Sequence, residues 1–312
     1  MKSKELNENR MAPSKSPQGE TYGHSPSGEK EGGCRLAIIT GAGTGMGFEE
    51  AKAVAGKGFY TIMACHHPKE AEAKCQEIIQ ETGNENVEII GLELADLSDV
   101  RRFADEIKSR FQHLDLLMNN AGTIQTGFHT TVDGLEHTVS VNYVGPYLLT
   151  RLLLPLMGEG SRVVNMASLT YWMGRLDFPE FFTRGRKKSF HRIHIYCNTK
   201  LAITLFTFHL AKLLKDKGIT VNAADPWMVS TNIIRMHMFF DPLTDIFFRP
   251  VIRTPRQGAD TAIRLLLDED KAGQTGTFNR SNRIIDVGEK YFHHRQMQEL
   301  WDKTEDIVRE FL

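Results

Sequence analysis

Cysteine is scarce in this sequence, and long uncharged apolar runs are missing. The four cysteines, Cys34, Cys65, Cys75 and Cys197, form neither a Cys-x-x-Cys pair nor a histidine-paired set at metal-ligand spacing. This pattern does not suggest a disulfide framework and gives no reason to expect a metal site. No stretch reaches the roughly 18 apolar residues that a membrane span needs, so we expect no transmembrane segment and a cytoplasmic location.

An excess of charge of either sign is also missing. The sequence has 38 basic and 39 acidic side chains in 312 residues, and its formal net charge is -1. A chain without net positive charge has no long-range field that would attract nucleic acid or an anionic membrane. We therefore expect a small molecule as the partner, and no nucleic acid.

The first 33 residues contain almost no large apolar side chains and are rich in Ser, Gly, Pro, Glu and Lys. Such a segment buries too little surface to offset the entropy of ordering, and it lacks the apolar core of a signal peptide. We predict a disordered polar tail over 1–33 and a single domain over 34–312.

From Arg35 onward, short apolar runs alternate with longer helical patterns, which is typical of βαβ units. The predicted strands are Leu36–Thr40, Tyr60–Cys65, Val87–Leu92, Leu114–Met118, Arg162–Met166, Thr220–Ala224 and Gly276–Asn279. The predicted helices are Phe48–Ala55, Pro68–Thr82, Asp99–Phe111, Leu135–Met157, Ile195–Lys215, Pro255–Leu267 and a C-terminal helix near Gln296–Phe311. These elements predict an α/β fold with a doubly wound, seven-stranded parallel sheet of the Rossmann type. In such sheets the ligand binds beyond the carboxyl ends of the strands.

A glycine-rich turn over Thr40–Gly47 follows the first predicted strand and opens into a helix. Glycine permits unusual backbone angles and close approach, and the helix N-terminus offers N–H groups to a pyrophosphate. The spacing is Thr-Gly-x-x-x-Gly-x-Gly, with Gly41, Gly45 and Gly47. It is not the common Gly-x-Gly-x-x-Gly, because Met46 stands at the last glycine position of that pattern.

Two further motifs come later in the chain: Asn119-Asn120-Ala121-Gly122 after the fourth strand, and Tyr196-Cys197-Asn198-Thr199-Lys200. With the glycine turn, they make the sequence resemble the short-chain dehydrogenase/reductase family from residue 35 to about 285. The long segment between Ser168 and Tyr196, together with Arg253–Ala259, resembles the retinol dehydrogenase-like and hydroxysteroid dehydrogenase branch. That branch acts on retinoids, steroids and other lipophilic alcohols or carbonyls.

The resemblance implies four catalytic residues: Asn142, Ser168, Tyr196 and Lys200. Tyr196 and Lys200 are four apart on a predicted helix, so they share a face and the ammonium can favour the phenolate. The resemblance makes Tyr196 the general acid and base, has Lys200 also hold the nicotinamide ribose, and has Ser168 orient the substrate oxygen. Asn142 would kink its helix and hold a water in a proton relay.

The resemblance also implies the cofactor contacts. These are Thr40, Gly41, Thr44, Gly45, Met46, Gly47, His66, Asp96, Leu97, Asn119, Ala121, Gly122, Tyr196, Lys200 and Pro226. Asp96 has two interpretations, an adenine contact or a helix cap. No acid stands at Cys65 or His66 to bind a ribose 2′-hydroxyl, which favours NADP over NAD. His66 and His67 fit a solvated loop equally well.

The substrate side of the sequence departs from the family. Asp225-Pro226-Trp227 stands where Pro-Gly is usual, which brings a large ring towards the cleft. We expect Ser168, Trp227, Met236 and Phe239 to contact the substrate, the last two from a Met- and Phe-rich lid near 228–252. That lid fits an apolar pocket, a contact with a second subunit, a membrane-facing surface or ordinary packing.

The leading prediction is an NAD(P)-dependent oxidoreductase that interconverts a lipophilic alcohol and its carbonyl. Two alternatives stay open: a broad carbonyl reductase of small aldehydes and ketones, and a non-catalytic NADP-sensing regulator. Regulators of that kind often lack the tyrosine or the lysine, and this chain keeps Tyr196 and Lys200. The resemblance further implies a homodimer or homotetramer that forms through the helices carrying Asn142 and Tyr196.

Overall fold

The structure, a computed structural model, describes residues 34–178, 180–183, 190–229 and 253–312. The predicted tail over 1–33, the substrate candidates Met236 and Phe239, and the lid from residue 230 onward lie outside the described residues.

The described chain contains one eight-stranded sheet in the order β3-β2-β1-β4-β5-β6-β7-β8. The strands are β1 Leu36–Thr40, β2 Tyr60–Cys65, β3 Val87–Gly91, β4 Leu116–Asn119, β5 Arg162–Met166, β6 Thr220–Asp225, β7 Phe278–Arg280 and β8 Arg283–Ile284. The first seven are parallel, as predicted. The short β8 pairs antiparallel with β7. It was not predicted, because two exposed residues leave no alternation to detect.

Helices cover both faces of the sheet. The principal helices are α1 Gly45–Ala55, α2 Pro68–Thr82, α3 Leu97–Arg110, α5 Gly145–Leu153, α7 Arg192–Leu214, α8 Pro255–Leu267 and α10 Met297–Val308. Three short helices are α4 His137–Val139, α6 Glu180–Thr183 and α9 Glu289–Phe292. Buried side chains of α1, α2 and α8 form one apolar cluster, and those of α3, α5, α7 and α10 form the other. Burial on both faces explains why β1 is apolar at every position up to Thr40.

The helix predicted over Leu135–Met157 is interrupted. A π-helical turn over Ser140–Val144 separates α4 from α5, and Asn142 lies within it. An asparagine competes for backbone hydrogen bonds inside a helix, and single π turns are frequent at functional sites. The position where the resemblance implies a kink is thus occupied by a π-helical turn.

The C-terminal helix α10 covers the outer face of α5 and α7. Tyr143 and Thr304 share a hydrogen bond of 2.9 Å, and the carboxylate of Glu305 accepts from Tyr147. The ring of Trp301 lies 5.2 Å from that of Tyr147, in an edge arrangement. The helices that the resemblance assigns to a subunit interface are thus partly covered by the same chain.

Among the residues that the structure describes, no helix combines the length and the apolar composition that crossing a membrane requires.

Candidate active site

A pocket opens at the carboxyl ends of β4, β5 and β6, where the topology predicts the ligand. Most of the predicted catalytic set meets there. Its lining consists of Met46, Asn120, Gly122, Met166, Ala167, Ser168, Tyr196, Lys200, Pro226, Trp227 and Val229.

The glycine turn has the backbone that a bound pyrophosphate needs. Gly41 and Gly45 have φ of 68° and 61°, in the left-handed region that residues other than glycine rarely adopt. At Gly47 a Cβ would collide with the carbonyl oxygen of Gly41 and lie 2.5 Å from Nδ2 of Asn120. Each of these glycines is therefore required, and the N-terminus of α1 is left open to an anion. Thr44 caps α1 with extended backbone and no side-chain bond.

Thr40 and Asn120 join the glycine turn to the end of β4. The Thr40 hydroxyl accepts the backbone N–H groups of Asn120 and Ala121, each at 3.0 Å. The Asn120 amide donates to the Thr40 carbonyl at 2.9 Å. These bonds fix two loops that are 80 residues apart in sequence and keep the floor of the cleft rigid.

Asn119 points away from the pocket, into the sheet. Its amide donates to Thr150 at 2.9 Å and to Asn165 at 2.8 Å, and Asn165 in turn donates to Thr207 at 2.9 Å. Asn119 therefore ties β4 to β5 and to α5, and it does not line the pocket.

Lys200 is held by the end of β5. Its ammonium donates to the carbonyl of Met166 at 2.8 Å and lies 5.5 Å from the centre of the Tyr196 ring. Burial lowers the pKa of Lys200 to about 8, and the charge of Asp225 opposes this shift. The predicted cation therefore lies near the phenol, and burial already disfavours its charged form.

Tyr196 shares a hydrogen bond with Ser168 across the pocket. Burial raises the pKa of Tyr196 to about 12, the bond with Ser168 acts to lower it, and Asp225 raises it further. The Ser168 hydroxyl accepts from the backbone N–H and the hydroxyl of Thr170, at 3.3 and 3.1 Å. Its own hydrogen is thereby left to donate towards Tyr196 or a substrate oxygen.

Asn142 is buried behind the lysine, and protein groups occupy its side chain. The amide donates to the Thr123 carbonyl at 2.9 Å and to Thr199 at 3.3 Å, and its oxygen accepts the Thr123 N–H at 2.7 Å. Thr199 donates onward to the Tyr196 carbonyl at 2.7 Å. Asn142 thus connects the loop after β4 to the catalytic helix α7, while its role in a water relay stays a prediction.

His66 lies at the end of β2, and its Nδ1 is 2.5 Å from Oε2 of Glu93 after β3. The hydrogen bond to Glu93 raises the pKa of His66, against the effect of desolvation. His66 is therefore more fully charged near neutral pH than an isolated histidine. His67 packs beside it with ring centres 3.9 Å apart.

Two cofactor candidates have other contacts. The Asp96 carboxylate accepts the N–H groups of Ser98 and Asp99, so the helix-cap interpretation is the one that the geometry shows. Leu97 is completely buried in the core, and its N–H donates to Asp133 at 3.0 Å. The structure does not bring Leu97 into the cleft, because helix α3 begins there, two residues earlier than the sequence predicted.

Trp227 lines the pocket with strained backbone. Its φ of 63° is in the left-handed region, where a bulky residue is rare. The Trp227 N–H donates to Oδ1 of the buried Asp225 at 2.9 Å, and Arg280 donates to Oδ2 of the same carboxylate at 2.7 Å. The left-handed conformation, which glycine adopts readily, is therefore held at this tryptophan by bonds to the Asp225 carboxylate.

Glu93, Asp225 and Arg280 were not among the predicted site residues. Glu93 and Asp225 both stand at the carboxyl end of a strand, and that position was the available signal. Arg280 gave no signal, because its partner Asp225 is 55 residues away.

Comparison with known proteins agrees with this geometry. A family model described as short chain dehydrogenase matches residues 35–181. Retinol dehydrogenase 11 of Mus musculus is 35% identical over 281 residues, covering 88% of this chain and 86% of that relative. The chain belongs to the short-chain dehydrogenase/reductase family, in its retinol dehydrogenase-like branch. It is an NAD(P)-dependent oxidoreductase.

Solved structures share the fold. An uncharacterized protein from Mycobacterium paratuberculosis matches with a TM-score of 0.70 at 28% identity, covering 88% of this chain and 93% of that chain. A short chain dehydrogenase from Burkholderia cenocepacia in complex with NADP matches with a TM-score of 0.63 at 24% identity, covering 80% and 98%. The Rossmann-type fold follows from these structural relationships.

Proposed function

We propose that this enzyme interconverts a lipophilic alcohol, a retinoid, steroid or similar molecule, and its carbonyl, with Tyr196 as the general acid and base. The observation that carries the proposal is the convergence of Tyr196, Ser168 and Lys200 in one pocket beside the glycine turn. Each side chain supports the same reaction from a different element of the fold.

The residues at the turn fit a dinucleotide. The left-handed backbone of Gly41 and Gly45 and the absence of a Cβ at Gly47 leave the N-terminus of α1 open to a pyrophosphate. Gly122 and Lys200 lie deeper in the cleft, where the nicotinamide ribose would be held. When bound, the nicotinamide supplies the hydride acceptor or donor.

The protein's own residues handle the proton. In reduction, the Tyr196 phenol donates its proton to the carbonyl oxygen, and the Lys200 ammonium favours the phenolate that forms. In oxidation, the phenolate accepts the alcohol proton. Because burial holds the pKa of Tyr196 near 12, the phenol is protonated at neutral pH, which suits the reductive direction.

The apolar lining supports a lipophilic substrate. Met46, Met166, Pro226, Trp227 and Val229 face the pocket around the three polar catalytic groups. Pockets of this type bind apolar molecules and orient them with a few polar contacts. The relative named retinol dehydrogenase points to the same class of substrate.

The decisive experiment follows the absorbance of the reduced nicotinamide while the purified protein meets NADPH or NADH with retinal, a panel of steroids and short aldehydes. We expect turnover on the lipophilic carbonyls that is lost at least about a thousandfold in Tyr196→Phe. Tyr291→Phe, which removes a phenol outside the pocket, is the matched control and should keep full activity. Preference for short aldehydes would support the broad carbonyl reductase, and cofactor binding without turnover would support the regulator.

We further propose a preference for NADP over NAD. The His66 imidazolium is 58% exposed at the side chain and can meet a 2′-phosphate, and no carboxylate stands on β2 itself. His66→Asp should reverse the ratio of kcat/KM for NADPH and NADH, while the adjacent His67→Asp should change it less than about threefold. Equal effects of both substitutions would contradict the assignment.

The cytoplasmic location and the homo-oligomer stay predictions. Because α10 covers part of the face of α5 and α7, we propose that any subunit contact uses another face. Light scattering of the full chain and imaging of a tagged protein test the two predictions.

A further inference from the structure

The end of β6 carries a charged unit made of Asp225, Arg280 and the adjacent Trp227. Asp225 is 1% exposed and lies directly across from Arg280 in the β6–β7 pairing. Arg280 donates to the Asp225 carboxylate at 2.7 Å, and its guanidinium lies 4.9 Å from the centre of the Trp227 ring. Three side chains from two neighbouring strand ends thus form one contact group.

The unit is adjacent to the reacting groups. Trp227 lines the pocket, while Asp225 acts electrostatically on Lys200 and Tyr196 of α7 and on Tyr171 of the turn after β5. Among the residues that the structure describes, Arg280 makes the one ion pair of Asp225. A buried carboxylate without that pair would place an uncompensated negative charge beside the catalytic tyrosine.

Arg280 also helps to hold Trp227 in its conformation. The left-handed backbone of Trp227 is unfavourable for a bulky residue and persists because neighbouring groups hold it. Asp225 holds the backbone N–H of Trp227, and the Arg280 guanidinium packs against the indole. The planar guanidinium can bond a carboxylate and stack on a ring together, which the lysine ammonium cannot do.

We propose that Arg280 is a positioning residue for the substrate, which fixes the Trp227 indole as a wall of the pocket and neutralises the charge of Asp225 that acts on Tyr196. This inference rests on the proposed function for its kinetic consequences, but its structural part can be tested without turnover. It makes Trp227 a specificity residue for the flat apolar part of the substrate.

The structural test uses ¹⁹F NMR of the full chain containing 5-fluorotryptophan. The chain has three tryptophans, and the resonance that disappears in Trp227→Phe belongs to Trp227. In Arg280→Met we expect that resonance to shift and broaden, because the indole loses its packing partner. Arg283→Met, which alters the exposed arginine on β8, should leave it unchanged. An unaltered Trp227 resonance in Arg280→Met overturns the positioning role, whether or not the enzyme turns over.

The kinetic test separates the two parts of the proposal. Arg280→Met should raise the KM for the lipophilic substrate about tenfold, with less than twofold change for the cofactor. It should also move the pH profile of alcohol oxidation upward by about half a unit, and Asp225→Asn should move it downward. Arg280→Lys should keep the wild-type pH profile but raise the substrate KM. The double variant Arg280→Met/Asp225→Asn, which lacks both charges, should return the profile to that of the wild type.

Two outcomes would overturn the kinetic part: a pH profile that no single variant moves, or full rescue of KM by Arg280→Lys. If Arg280→Met fails to fold by circular dichroism, Arg280→Lys and Asp225→Asn carry the same comparison. If the wild type binds cofactor but turns over nothing, the proposed function fails while the NMR result still decides the role of Arg280.

Discussion

The two ends of the cleft are built from different parts of the chain. The cofactor end is made of backbone: the glycine turn, the N-terminus of α1 and two loops joined by Thr40 and Asn120. The substrate end is made of side chains that come from separate strands, with Trp227 held by Asp225 and Arg280. A site made of backbone N–H groups can bind the same cofactor in many relatives, because any sequence that adopts this backbone conformation provides those groups. A side-chain site can change with one substitution, and specificity therefore resides there.

The largest expected effect is on the stability of the folded chain. It comes from Glu50 on α1, the helix whose N-terminus forms part of the cofactor end. Glu50 is fully buried on α1, and both of its oxygens lack a hydrogen-bond partner among the described residues. Burial raises the pKa of Glu50 from 4.5 to about 8. Between these pH values the folded state keeps a proton that the unfolded chain releases, so stability falls as pH rises.

Glu50→Gln removes this titration. Its gain in the free energy of unfolding should be small at pH 4.5 and grow to at most about 5 kcal/mol above pH 8, measured by urea denaturation. Glu49→Gln, next to it but partly exposed, should differ from the wild type by less than about 0.5 kcal/mol at every pH. A gain for Glu50→Gln that does not depend on pH would contradict the burial of a titrating carboxyl.

The next effect breaks the backbone site itself. Gly47→Ala places a methyl group against the carbonyl of Gly41 and the amide of Asn120. We expect cofactor affinity to fall at least about a hundredfold, close to 3 kcal/mol, in a fluorescence titration with NADPH. Gly43→Ala is the matched control, since its Cβ would lie 3.3 Å from Ala71, and it should stay within about threefold. Equal losses in both variants would mean that the close approach at Gly47 is not what the cofactor requires.

A third prediction concerns the pH dependence of carbonyl reduction, which is set by Lys200 between the two ends of the cleft. Below pH 8 the Lys200 ammonium is charged, and above it the charge is lost, because burial lowers its pKa to about 8. The rate of carbonyl reduction should therefore be level up to pH 8 and fall roughly tenfold per unit above it. Tyr196, with a pKa near 12, stays protonated over this range and does not produce the decline. Because the pKa of Glu50 is also raised to about 8, Glu50→Gln is the control, and it must show the same decline. A level profile to pH 10 would refute the assignment to Lys200.

The smallest effect separates strain from packing at the substrate end. Trp227→Gly relieves the left-handed backbone but loses the contact with Arg280, so we expect stability within about 1 kcal/mol of the wild type. Trp227→Ala loses the contact and keeps the strain, and should be less stable than Trp227→Gly by about 1 kcal/mol in urea denaturation. If the alanine variant is as stable as the glycine variant, the backbone at Trp227 is not strained.

The features that could be predicted from the sequence are those encoded by neighbouring residues. Strands such as β1, β2 and β4 are short apolar runs, and Tyr196 and Lys200 lie one helical turn apart. The glycine turn is similarly contiguous. Local patterns of this type determine local geometry without knowledge of the rest of the fold.

The features that escaped prediction depend on contacts between distant segments. The His66–Glu93 pair joins the ends of two strands, and Arg280 bonds Asp225, which is 55 residues away in the sequence. Asp96 had two interpretations in the sequence, and only its two backbone contacts show that it caps α3. Sequence periodicity does not reveal whether Glu93 or Asp96, which both follow β3, faces the cleft.

Helix α10 gives the catalytic helix an intramolecular neighbour where the resemblance implies a second subunit. Trp301 packs on Phe206 of α7 with ring centres 6.2 Å apart, and Arg151 of α5 pairs with Glu305. A second copy can reach the area under these contacts only by displacing α10 or by exchanging it for its own. In the case of exchange, association at that face would be domain swapping, with the same contacts made between chains instead of within one.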